Sequence, residues 1–167
     1  VYKRQDIGTV IDENAAKKIQ KRINKSILDT VKKKDFILGH NVNKFEKKFS
    51  SLSKSKYAVG CATGTDALIL ALKSLNLKPN HEVIIPGMSY ISTGLSAALN
   101  NNKIVFADID NDTGLISLNS VKNKISKNTK AVIPVNLYGQ KVDIKKLRRI
   151  VGSNIYIIED SAQAHFA

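Results

Sequence analysis

Two apolar rhythms divide the chain. Up to about residue 53 the apolar positions recur at helical spacing, and from Tyr57 onward short apolar runs alternate with helical stretches. Ala16, Ile19, Ile23, Ile27 and Val31 form a stripe that predicts a helix from Asp12, its cap, to Lys34, with a lysine-rich opposite face. After an apolar connector at 35–39, Val42, Phe45, Phe49 and Leu52 predict the inward face of a second helix. Strands follow at Tyr57–Cys61, Glu82–Pro86, Lys103–Ala107, Ala131–Asn136 and Ile155–Asp160. Helices are predicted between them, over Ala62–Lys73, Ser89–Leu99, Ser117–Ile125 and Asp143–Ile150. Pro134 has no N–H for a ladder, which points to an edge or bulged position. Strand–helix alternation with short connectors predicts an α/β fold: a largely parallel sheet, helices on both faces and right-handed crossovers.

Composition narrows this picture. The 167 residues suit one domain, taken as 12–167, with 1–11 set apart as a disordered or scar-containing lead. The first residue is Val, and the sequence stops at Ala167 just past the last strand, so a fragment is expected. No run of 18 apolar residues occurs, so no membrane span is expected. Cys61 is the only cysteine, which excludes an internal disulfide and fits a reducing cytoplasm. His40, His81 and His165 share no ligand spacing, so no metal site is expected. The net charge of +13 raises a nucleic-acid reading, but 23 of the 27 basic residues are Lys and only Arg4, Arg22, Arg148 and Arg149 are Arg. Readers of nucleic acid favour the Arg fork, and these lysines are spread along the chain, so solvated faces are the better reading.

The candidate chemistry lies just after strands. Thr63-Gly64-Thr65 turns a strand directly into a helix, whose free N–H groups suit a phosphate. Tyr90 follows Pro86-Gly87 and can cover a planar ligand. The strand at 155–158 delivers Glu159 and Asp160, with Gln163 and His165 next. Asp108 and Asp110 read instead as solvated acids of the Asn111–Gly114 turn. In a parallel sheet the C-terminal strand ends share one edge, so Gly64, Thr65, Tyr90, Asn136, Asp160 and Gln163 converge on one ligand. A phosphate cradle, a stacking aromatic and a strand-end carboxylate together suit pyridoxal 5'-phosphate (PLP), whose pyridinium N–H needs an ionised partner. Neither G-x-G-x-x-G after a strand nor G-x-x-x-x-G-K-[ST] occurs, which weakens a nucleotide reading.

With these residues quoted, the chain resembles the DegT/DnrJ/StrS-type nucleotide-sugar aminotransferases, which are PLP enzymes of fold type I. The likeness runs in register from about Asp35 to Ala167. It is carried by Phe45-Glu46, Ala62-Thr-Gly-Thr-Asp-Ala-Leu68, Glu82-Val-Ile-Ile-Pro86, Thr129-Lys-Ala-Val-Ile-Pro-Val135, Leu137-Tyr138-Gly139 and Glu159-Asp-Ser-Ala-Gln-Ala-His165. The resemblance implies that Gly64-Thr65 binds the phosphate, Tyr90 stacks on the ring, Asp160 partners the ring nitrogen and Gln163 meets the ring hydroxyl. It implies amino transfer, usually from glutamate, to a nucleotide-diphosphate keto-sugar by a cytoplasmic homodimer, in polysaccharide or glycan synthesis. Asn136 and His165 are the implied substrate contacts. Asn136 stands where the family often has His, and Phe166 where it usually has Gly. The family's Schiff-base lysine would lie beyond Ala167, and none of the 23 lysines matches it, so no catalytic residue is assigned. Three other readings stay open: a same-family sugar dehydratase with His at that position, a basic nucleic-acid-binding α/β module, and an inactive truncated product.

Overall fold

A computed structural model describes residues 13–165, so Asp12, residues 1–11 and Phe166 lie outside the described residues. The chain comprises two compact units, Val1–Gly60 and Cys61–Ala167.

The first unit holds helix α1 (Glu13–Lys33) and helix α2 (His40–Ser53). Both form where the apolar periodicity puts them. The faces are another matter. The α1 stripe of Ile19, Ile23, Ile27 and Val31 is exposed, as are Phe45 and Leu52 on α2, which has no buried residue. The expectation that α2 turns Phe45 and Leu52 inward is therefore corrected: helical spacing reports an amphipathic face, not what covers it. Within this unit Glu46 Oε1 accepts from the Gly60 N–H at 2.7 Å, and Phe45 and Phe49 lie 5.7 Å apart, centroid to centroid.

The second unit contains the sheet. Helix α3 (Gly64–Ser74) is followed by β1 (Glu82–Pro86), α4 (Ile91–Leu99), β2 (Lys103–Ala107), α5 (Leu118–Lys124), β3 (Thr129–Val132), α6 (Ile144–Val151) and β4 (Tyr156–Ile157). Among the described residues these strands form one parallel sheet in the order β2-β1-β3-β4. β1 is a Val/Ile-rich run buried along its whole length, as expected of a strand covered on both faces, whereas β2 and β4 stay partly exposed. Val83, Ile84, Ala131, Val132 and Ile133 are fully buried, and Leu72, Ala97, Val121 and Leu147 from the helices pack on them. α3 packs on α4, and α5 on α6.

The topology fixes where a ligand can sit. From β1 the chain steps to β2 on one side, then crosses back to β3 on the other. Right-handed crossovers send the connecting helices to opposite faces on these two steps. The strand order thus reverses between β1 and β3, which is where open α/β sheets place a ligand crevice, at the C-terminal strand ends.

Two strand expectations need correction. Residues 57–61 carry no strand. Val59 is 79% exposed, so the apolar run has no sheet face to bury against. Pro134 is neither at an edge nor in an edge strand: β3 lies between β1 and β4, and Pro134 is fully buried. The ladder instead lapses at this point. Ile133 N–H reaches Ile84 O at 2.9 Å, Pro134 O accepts from Asp160 N–H at 2.9 Å, and a bridge between Val135 and Asp160 resumes the pairing. Proline is tolerated in an interior position because only its carbonyl is asked to bond.

Candidate functional site

The phosphate-facing part is built by α3. Thr63 caps the helix: its hydroxyl accepts from Asp66 N–H at 3.1 Å and donates to the Asp66 carboxylate at 2.7 Å. That leaves the Gly64 and Thr65 N–H groups without a protein acceptor among the described residues, as the first turn of a helix requires. A Cβ placed on Gly64 would meet nothing within 4 Å, so the approach to those N–H groups is open. Thr65 Oγ1 lies 2.6 Å from Ser92 Oγ on α4. Two hydroxyls share one hydrogen bond there, which leaves one O–H proton for a third group. This pair also ties the α3 terminus to the segment after β1.

Tyr90 occupies the N-cap position of α4 and is 74% exposed. With Pro86, Ile91, Leu95 and Phe106 it walls an apolar cleft of about 350 Å³ beside β1 and β2. A larger hollow, about 640 Å³, runs along α1 alone, past Lys21, Lys25 and Leu28. One exposed helix face encloses nothing, so chemistry is not sought there.

The opposite pole is the end of β4. Asp160 is half-buried and extends the parallel pairing: its N–H donates to Pro134 O and its carbonyl accepts from Asn136 N–H, both at 2.9 Å. One carboxylate oxygen accepts from Ala162 N–H at 3.0 Å, and the other has no donor among the described residues. Gln163 is exposed, and its Oε1 accepts from the Tyr138 N–H at 2.9 Å. Its amide NH2 therefore faces away from the backbone and can donate outward. Tyr138 delivers that N–H from a left-handed conformation (φ 57, ψ 33), which a non-glycine residue adopts at a cost of about 1 kcal/mol. His165 is exposed, just after the buried Ala164.

Asn136 is 1% exposed and fully engaged. Its Nδ2 donates to Glu159 Oε1 at 2.7 Å and to Ser161 Oγ at 2.9 Å, and its Oδ1 accepts from Val142 N–H at 2.9 Å. Both amide hydrogens are consumed inside the protein, so the group offered for substrate contact has no donor left to give. Tyr138 and Ser161, which hold Gln163 and Asn136, were absent from the sequence reading of the site. No periodicity marks either of them.

Two acids take no part in this arrangement. Asp110 Oδ1 accepts from the Thr113 hydroxyl and from the Thr113 and Asp112 N–H groups, and these bonds hold its carboxyl below the usual carboxylate range. It is a turn residue, closing on Gly114 at φ 71. Glu82 lies at the N-terminal end of β1, away from the crevice.

The sheet therefore gathers Gly64, Thr65, Tyr90, Asp160 and Gln163 on its C-terminal side. Adjacent strands are about 4.8 Å apart, so β1, whose end leads to Tyr90, and β4, whose end leads to Asp160, lie about 10 Å apart with β3 between them.

Known proteins resemble this chain over most of its length. The chain is 35% identical over 153 residues to a UDP-2-acetamido-2-deoxy-3-oxo-D-glucuronate aminotransferase of Pseudomonas aeruginosa, covering 91% of this chain and 43% of the relative. It is 36% identical over 149 residues to a dTDP-3-amino-3,6-dideoxy-alpha-D-galactopyranose transaminase of Aneurinibacillus thermoaerophilus, covering 89% and 41%. Among solved structures, DesV of S. venezuelae superposes with a TM-score of 0.86 at 30% identity, over 92% of this chain and 42% of that one. A GDP-4-keto-6-deoxymannose-3-dehydratase holding a trapped PLP–glutamate geminal diamine superposes at 0.82 and 30% identity, over 86% and 39%. The chain thus spans roughly two fifths of the length of these relatives. Residues 17–167 match the sequence profile of the DegT/DnrJ/EryC1/StrS aminotransferases, and the chain belongs to that family.

Proposed function

We propose that the chain forms the PLP-holding part of an aminotransferase that moves an amino group from glutamate to a nucleotide-linked keto-sugar. The observation that carries the proposal is the pairing of two open poles on one sheet edge. The unpartnered N–H groups of Gly64 and Thr65 stand at one, and the free carboxylate oxygen of Asp160 at the other. The donor set fits the cofactor: helix-terminal N–H groups for a phosphate, an ionised acid for a ring N–H, and an amide NH2 for a ring oxygen.

Each residue has a stated task. Gly64 and Thr65 bind the phosphate through N–H groups, and the Thr65–Ser92 hydroxyl pair donates one more bond. Tyr90 covers the ring and keeps water from it. Asp160 holds the proton on the ring nitrogen, and Gln163 orients the ring through its hydroxyl. His165, exposed beyond the cofactor residues, is left to the substrate. Bound there, PLP supplies an electron sink next to the amine-bearing carbon.

Aminotransferases stand among the curated relatives, and dehydratases among the solved neighbours at 30% identity. The matched family is one of aminotransferases, which favours transamination. A homodimer is proposed because Ile91, Leu95 and Phe106 surround the apolar cleft and are exposed, an arrangement that a second subunit would cover. No described helix is long and apolar enough to cross a membrane. The cytoplasm is the proposed location, resting on the single exposed cysteine, Cys61.

The test is twofold. The purified chain should retain pyridoxamine 5'-phosphate (PMP) in equilibrium dialysis, and inorganic phosphate should compete. The complete gene product should release 2-oxoglutarate from glutamate when given a UDP- or dTDP-linked keto-sugar. No retention of PMP by either protein would overturn the proposal.

A further inference from the structure

We infer that Asn136 is a positioning residue that decides which of two adjacent carboxylates, Glu159 or Asp160, faces the ligand. The inference rests on the cofactor reading above and deepens it.

Asn136 grips every residue of the acidic turn. Its side chain donates to Glu159 on one side of Asp160 and to Ser161 on the other, and its backbone N–H donates to the Asp160 carbonyl. Its Oδ1 accepts from Val142 N–H, which anchors the clamp to the segment before α6. At 1% exposure, the amide makes these bonds with little competition from water.

The need for a clamp follows from strand geometry. Side chains alternate faces along extended backbone, so Glu159 and Asp160 diverge. A one-residue slip would exchange them. Regular pairing in β4 covers only Tyr156 and Ile157, and Pro134 offers no N–H to the next step, so beyond it the register rests on the Ile158 and Asp160 N–H groups, the Asn136 N–H and the Val135–Asp160 bridge. By binding Glu159 Oε1 and Ser161 Oγ at once, Asn136 removes the alternative. Asp160 is then left with one backbone bond and one open oxygen. The buried amide thus acts through Asp160 and touches no ligand itself.

The experiment uses the chain with PMP carrying 15N in its ring. The ring signal reports whether the nitrogen is protonated, the same titration gives Kd, and a thermal melt gives stability. Asn136→Ala should weaken binding about tenfold and move the ring signal toward the unprotonated position, as expected for losing bonds to a charged group. Asn136 is buried, so two milder variants carry the test if that protein does not fold. Ser161→Ala removes one acceptor of the clamp and should cost about threefold in Kd, with the ring signal moving the same way. Glu159→Ala should behave likewise, whereas Glu159→Gln keeps an acceptor oxygen and should bind as the parent does. If Ser161→Ala and Glu159→Ala both keep the parent Kd and ring signal, the positioning role is overturned and the cofactor reading stands. If the parent chain binds no PMP, the cofactor reading is overturned and the positioning role falls with it.

Discussion

The two ends of the sheet each present an acid, and the acids are treated in opposite ways. At the N-terminal end, Glu82 is 6% exposed and accepts from Lys103 Nζ at 3.0 Å, Ser126 Oγ at 2.5 Å and Thr129 Oγ1 at 3.3 Å. Its carboxyl is held below the usual range, first by the Ser126 hydroxyl and then by Lys103. These donors come from β2, β3 and the turn before β3, so one carboxylate stitches the start of three neighbouring strands. At the C-terminal end, Asp160 keeps one oxygen open. The comparison teaches that an acid on a strand becomes structural when its hydrogen bonds close within the fold. It is available for chemistry when they do not.

Four changes would sharpen or break this contrast. Asp160→Asn has the largest expected effect. The Asn Oδ1 can still accept from Ala162 N–H, so stability should move by less than about 0.5 kcal/mol. PMP affinity should fall about fiftyfold, because a charged partner of the ring nitrogen is lost. Equal losses of stability and affinity would make Asp160 structural too.

Glu82→Ala comes next and should do the reverse. It strands the buried Thr129 hydroxyl and the Ser126 hydroxyl and should cost about 2 kcal/mol in denaturant unfolding. The Lys103 ion pair contributes a small share, since Lys103 is largely exposed. PMP affinity of the folded variant should stay within about twofold of the parent. A large loss of affinity would show the two ends to be coupled.

The pH dependence of Glu82 is a smaller effect with a definite sign. Its folded-state pKa lies below its ordinary value of 4.5. The stability it contributes is therefore fully present above pH 4.5 and is lost as the pH falls through the lower folded value. Glu82→Gln should flatten that acid limb in urea titrations between about pH 5 and pH 3. An unchanged limb would remove Glu82 from the account of acid stability.

Gly64→Ala is the smallest and the most discriminating. The space around Gly64 is open, so the extra methyl should be accommodated and the helix should gain about 0.5 kcal/mol. The same methyl stands in the path of a phosphate and should weaken PMP about fivefold. A variant that is more stable yet binds less would separate function from folding at one atom. Unchanged binding would move the phosphate elsewhere.

Much of the second unit was legible in the sequence because its signals are local. The runs Glu82–Pro86 and Lys103–Ala107 are strands as expected. Ser117 and Asp143 cap α5 and α6 through the N–H groups of Ser120 and Lys146. The turn at Thr63-Gly64-Thr65 was readable for the same reason: a cap and its helix are neighbours in sequence. What escaped depends on distant partners. Residues 57–61 have strand composition, but pairing needs a neighbour that sequence cannot supply. Pro134 looked like an edge or bulged residue, and only the lapse in pairing at 133–134 explains its interior place. Asn136 looked like a ligand contact because it follows a strand, and its burial is set by Glu159 and Ser161, more than 20 residues away. The first unit shows the same limit, since the Ile19–Ile23–Ile27 stripe predicts an apolar face and says nothing about what covers it.

The most direct measurement is a crystal structure of the protein soaked with PMP. The account predicts the phosphate against the Gly64 and Thr65 N–H groups and the ring nitrogen within about 3 Å of the Asp160 carboxylate. A cofactor bound with its ring nitrogen away from Asp160, or its phosphate held by surface lysines instead of the α3 terminus, would contradict it.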